Sequence, residues 1–314
     1  MDRARFAPSL IATLGLLLVS CAGPLSSGTV PSALAGASDQ ETSRSVVREQ
    51  YETKGGVLYV SSEDDDVIVM FALQGTNPYP IGTIANGVSA PVGMTVDASG
   101  TLYVANNFSN TVTEYPKGKT RPSTTISDGI SVPGDVAVDS NGTLYVSNNV
   151  AGTVVEYQKG QTSPSATISG LGGPLGLALD HHGNLYVADE RFNFIGCIWR
   201  FKPGSTKGTQ LNFAGITYPA SVAVDAKDDV YVTVQTYPPV INVYRVGKTS
   251  PVRTITQGIV SPYMLALSPK GDLFVADFTA QDAVEYLNGQ SAPYRTFSKG
   301  VKSPFGVAVL PAGT

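Results

Sequence analysis

Cysteine, histidine and tryptophan are almost missing from this 314-residue chain, which holds two, two and one of them. Two cysteines cannot staple a fold of this size, so stability has to come from packing. The two histidines, His181 and His182, are adjacent and leave a catalytic serine or cysteine little choice of general base. Charge is sparse as well: 15% of residues are charged, the net charge is −4, and no basic run occurs. A nucleic-acid backbone would find nothing to pair with, which excludes DNA and RNA as partners. The apolar run Leu10–Val19 is too short to cross a bilayer. What is plentiful is glycine and proline, 33 and 21 residues, beside a hydrophobic share of 42%. That mixture suits short strands joined by many turns.

The N-terminus places Arg3 and Arg5 before the apolar run, which ends in Leu18-Val19-Ser20-Cys21. Charge, short apolar core and small residues fit an export signal over residues 1–20. The last four residues resemble the bacterial lipobox, which implies cleavage before Cys21, a lipid on its thiol, and membrane attachment only through that lipid in the cell envelope. A plain signal peptide with an incidental cysteine is the alternative. Residues 21–50, rich in Ser, Ala, Gly and Thr, read as a flexible tether, and 51–314 as one domain. Cys197 lies in the alternating segment Ile195–Phe201, where it is expected to be an inert core thiol.

Internal repetition decides the fold. Leu-Tyr-Val or a close variant begins at Leu58, Leu102, Leu144, Leu185, Val230 and Leu273, in steps of 44, 42, 41, 45 and 43 residues. A proline-led strand begins at Pro91, Pro133, Pro174, Pro219, Pro262 and Pro304. Between the two lies a turn of the form Asp-x-x-Gly, as at Asp97–Gly100, with Ser268–Gly271 and Asp225–Asp228 as variants. Its last position wants positive φ, which marks a tight hairpin. A third strand ending in an aromatic and a short fourth strand complete each unit. The expectation is an all-β, six-bladed β-propeller with four antiparallel strands per blade.

The phase of the ends is informative. The first triplet has no proline-led strand before it, and the last proline-led strand has no triplet after it. Pairing Phe305–Leu310 with the strand begun at Val57 would complete one blade from one C-terminal and three N-terminal strands, leaving no open edge.

The recurring Pro-x-Gly-Val-Ala-Val-Asp-x-x-Gly-x-Leu-Tyr-Val-Ala-Asp/Asn string resembles the NHL-repeat propellers, and the resemblance extends to the gluconolactonase-like and virginiamycin B lyase-like propellers. Those relatives imply a loop-face site around the channel, with calcium held by Asp, Asn and Glu, or a rim histidine and glutamate. Here the residues after the prolines are Val92, Gly134, Leu175, Ala220, Tyr263 and Phe305, where the lactonase-like group has an Asp. Both histidines fall in a hairpin on the opposite face.

Two functions follow as expectations. The first is a non-catalytic module without cofactor, binding an envelope protein, peptide, glycan or small ligand through Asp189, Arg191, Phe192, Tyr237, Tyr263, Asp277 and Phe305. The second is a calcium-dependent lactonase, hydrolase or lyase using Asn106, Asn148, Asp189 and Asp277 as oxygen ligands. Those four residues equally suit caps of their own turns, bonding nearby backbone. The acidic run Glu63–Asp66 reads either as a solvated loop or as a site for a cation or basic partner.

Overall fold

A computed structural model describes residues 55–75, 78–190 and 195–312. All the regular elements among them are β-strands. Blade 1 contains β1 (Val57–Ser62), β2 (Val67–Ala72) and β3 (Pro80–Ile84). Blade 2 runs β4 (Pro91–Val96), β5 (Leu102–Asn106), β6 (Thr111–Tyr115) and β7 (Thr124–Ile126). Blade 3 runs β8 (Pro133–Val138), β9 (Leu144–Asn148), β10 (Thr153–Tyr157) and β11 (Ala166–Ile168). Blade 4 runs β12 (Pro174–Leu179), β13 (Leu185–Asp189), β14 (Cys197–Phe201) and β15 (Gly208–Leu211). Blade 5 runs β16 (Pro219–Val224), β17 (Val230–Val234), β18 (Val240–Tyr244) and β19 (Arg253–Ile255). Blade 6 runs β20 (Pro262–Leu267), β21 (Leu273–Asp277), β22 (Asp282–Tyr286) and β23 (Arg295–Phe297). The last strand, β24 (Val307–Leu310), returns to blade 1 as its inner strand, in the order β24-β1-β2-β3.

The expected closure is present: Val57 pairs with Leu310 and Val60 with Val307. Inner strands β24, β4, β8, β12, β16 and β20 each touch the next, and β20 touches β24. The ring is therefore complete, and the core lies between blades. Met70 of blade 1, for example, packs with Met94 and Tyr115 of blade 2, and Phe71 with Phe274 and Phe297 of blade 6.

Three recurring residues explain why the repeat folds this way. Asp97, Asp139, Asp180 and Asp225 each accept two backbone amides of their own hairpin through one oxygen. The fourth hairpin position takes the left-handed conformation, with φ of 84° at Gly100 and 82° at Gly142. The aromatic closing the third strand is buried in every blade. Where it is tyrosine, its hydroxyl donates to the loop arriving from the preceding blade, as Tyr115 does to Asn86 O at 2.7 Å and Tyr286 to Gln257 O at 2.6 Å. Cys197 is buried at the start of β14.

Five of the six inner strands, β4, β8, β12, β16 and β20, also carry a register irregularity just after their proline, shown by the jump from Pro133↔Asn148 to Val136↔Val146 in blade 3. Such a bulge re-aims the residues within it.

Candidate functional site

The loops entering each inner strand and those joining second to third strands share one face. Asn106, Asn148, Asp189 and Asp277 end the second strands there, and all are buried. Asn106 Oδ1 accepts Ser89 N at 3.0 Å, and Asn148 Oδ1 accepts Ser131 N at 2.9 Å. Asp189 accepts Gly172 N, Gly173 N and the Trp199 indole, while Asp277 accepts Ser261 N and Val260 N. Each side chain holds the loop entering its own blade. Ser62 does the same for Lys302 in blade 1.

The acidic run is similarly engaged. Asp64 accepts the Ser303 hydroxyl at 2.6 Å, Asp65 pairs with Lys302 at 2.7 Å, and Asp66 accepts Ala90 N at 2.7 Å. Asn110 holds Val132 N, and Gln281 holds Ser303 N, in the same way. The residues so held, Ala90, Val132 and Ser303, precede prolines and adopt φ of 45°, 49° and 46°. A β-branched valine at positive φ is an outlier, so the rim stores backbone strain that the neighbouring blade's side chains maintain.

At the centre of this face Val92, Leu175, Ala220 and Phe305 are buried in one apolar cluster with Met264, and Tyr263 packs against it. The Tyr263 and Phe305 rings lie 4.2 Å apart. These side chains plug the loop end of the channel. Glu63 and Glu190 stand near Tyr263, and burial together with these acids pushes its hydroxyl up to about 12. Burial also raises Glu190. Tyr237, by contrast, is 94% exposed. Arg191 and Phe192 lie outside the described residues.

Further out the loops expose large apolar side chains: Phe108 in blade 2, Val150 in blade 3, Ile195 in blade 4, Tyr237 in blade 5 and Val260 in blade 6. The result is a crown with one such residue in each of five consecutive blades. The repeat pattern does not reveal it, because these positions fall in the least periodic segments.

Below the plug, Asp135 occupies the second position after its proline, where the other blades have Gly93, Gly176, Ser221, Met264 and Gly306. Its carboxylate accepts Val136 N at 2.8 Å and, across the blade boundary, Leu177 N at 2.9 Å. Sequence reading passed over it, although it is the one acid at that position. Burial raises its pKa from 3.8 to about 7 against the lowering effect of the two amides. Because the folded value is above the unfolded one, the stabilising contribution is complete below about pH 4 and is lost as pH rises through 7. Between pH 5 and 8 unfolding free energy should fall by about 2–3 kcal/mol from this group. Asp135→Asn, compared by urea denaturation at both pH values, should lose that share of the slope; equal slopes would refute the assignment. Asp282, raised to about 6, acts in the same direction and stays in both proteins.

A cavity of about 510 Å³ lies among the hairpins, lined by Asp97, Lys227, Lys270, Asn288 and Pro311 among others.

No protein-family model matches the chain, and no curated protein matches it. Solved structures do: 1411 chains match, so the architecture alone cannot select an activity. One is a chain in the crystal structure of a nidogen/laminin complex, 16% identical, with a TM-score of 0.70 over 83% of this chain and 100% of that one. At that identity the likeness concerns the fold, a six-bladed β-propeller.

Proposed function

We propose that this protein is a non-catalytic binding propeller of the NHL-repeat kind, tethered to the bacterial envelope by lipid on Cys21, and that the loop face engages a partner protein. The observation that carries the reading is the crown of Phe108, Val150, Ile195, Tyr237 and Val260. Exposed apolar side chains recurring from blade to blade are what a protein-binding surface offers, although the hairpin-face loops expose five of their own, Tyr79, Val246, Val252, Leu287 and Tyr294. The strained rim beneath them is a rigid platform, and strain of this kind collects at functional sites. Likeness to a chain crystallised in a two-protein complex is in keeping with it.

A calcium-dependent lactonase or lyase reading has less support. A hard cation wants six or more converging oxygens, whereas Asn106, Asn148, Asp189 and Asp277 each accept amides of their own blade.

A photo-crosslinking residue in place of Phe108 or Tyr237 should give one adduct of defined mass in intact cells, at least about tenfold above the same residue at Lys159 on the hairpin face. Palmitate labelling should disappear in Cys21→Ala. Equal adducts from both faces would sink the loop-face reading, and label retained without Cys21 would sink the tether.

A further inference from the structure

Both histidines of the chain sit at the hairpin face, in the turn Asp180–Gly183 between β12 and β13. Across the blade boundary the turn between β16 and β17 ends in Asp228. Its four counterparts are Gly100, Gly142, Gly183 and Gly271, with φ from 78° to 84°. Asp228 takes φ 61° in their place, a conformation that glycine adopts freely and a side chain disfavours. The turn itself does not need this carboxylate, because Asp225 already accepts the amides of Lys227 and Asp229.

What the carboxylate meets instead is the pair of imidazoles. His181 Nδ1 lies 3.0 Å from Asp228 Oδ1, and His182 Nε2 lies 3.7 Å from Asp228 Oδ2. One donor atom from each of the three residues falls within 4.8 Å of the others, and among the described residues this is the one such group of three His, Cys, Asp or Glu side chains. Asp228 Oδ1 is enclosed yet accepts no hydrogen bond, even from the nearby ring nitrogen. Donor atoms at bond lengths of 2.0–2.1 Å around a tetrahedral ion stand roughly 3.3 Å apart, and the two nitrogen–oxygen distances here, each to a different oxygen of Asp228, fall on either side of that value.

We propose that His181, His182 and Asp228 form a binding site for one divalent ion of the zinc, nickel and copper class. Two imidazoles and one carboxylate suit these borderline ions, whereas calcium and magnesium ask for oxygen alone. Solvent completes the coordination, since both histidines are more than half exposed. The ion joins the hairpins of blades 4 and 5, so it binds the folded ring and raises its stability.

The test is zinc titration of the full chain, stripped with chelator, by calorimetry and thermal melting at neutral pH. One equivalent should bind and raise the melting temperature. Asp228→Gly installs the residue that the other hairpins use, so the ring keeps its fold while losing a ligand. Binding should weaken at least about 100-fold in that variant and in His182→Ala, since even outer-shell partners of a metal account for up to that much. Absence of zinc uptake by the wild-type chain, or undiminished uptake by Asp228→Gly, would overturn the proposal.

Discussion

A chain that stops at Pro304 should lose its cooperative fold altogether. The cut removes β24, whose Val307 and Leu310 are buried, and with it Phe305 from the channel plug. Burying each of these three side chains contributes about 1.5–3 kcal/mol, so their sum approaches the 5–15 kcal/mol by which a whole domain is stable. The cut also strips the pairing from Val57–Val60 and leaves the Ser61 hydroxyl without the Phe305 and Gly306 amides that it accepts at 3.0 and 2.7 Å. Blades pack on both sides, so a missing inner strand breaks the ring at two boundaries. Circular dichroism with urea denaturation decides the matter. A shortened chain that still unfolds in one sharp step near the full protein's midpoint would show that closure is not required.

Gly306→Ala should be strongly destabilising despite adding one methyl group. A Cβ built there stands 1.9 Å from the Val92 carbonyl oxygen and 2.9 Å from its carbon. Both atoms belong to the backbone of the neighbouring inner strand, so relief requires two blades to move apart. The expected loss is about 3 kcal/mol, at the upper end for overpacking. Gly82→Ala provides the contrast. Its Cβ would meet only the terminal methyl of Met70 at 2.6 Å, which can swing aside, for a loss of about 1 kcal/mol or less. Urea midpoints of the two variants measure the difference, and similar small losses would mean that the inner ring has slack.

The blades were legible because each is written locally. The hairpin Asp binds amides within four residues of itself, and the Leu-Tyr-Val triplet alternates across a single strand. Closure was legible from the phase of the two ends. The site was harder, because its parts meet only after the ring has formed. Val92, Leu175, Ala220 and Phe305 converge from four blades. Asp135 looks like noise in one repeat until Leu177 N, 42 residues on, is seen to depend on it. Asn148 and Asp277 show the opposite case. Their residue types permit either a ligand set or a cap, and only the positions of Ser131 and Ser261 display the amides that they hold.

The shared blade 1 also determines where the two ends of the described chain lie. Gly56, just ahead of β1, lies against Leu310 and Ala312, so the described chain begins and ends at the hairpin face. A tether of the proposed kind would therefore join the ring at the hairpin face, the end that carries the two histidines, with the exposed apolar residues of the loop face at the opposite end of the strands.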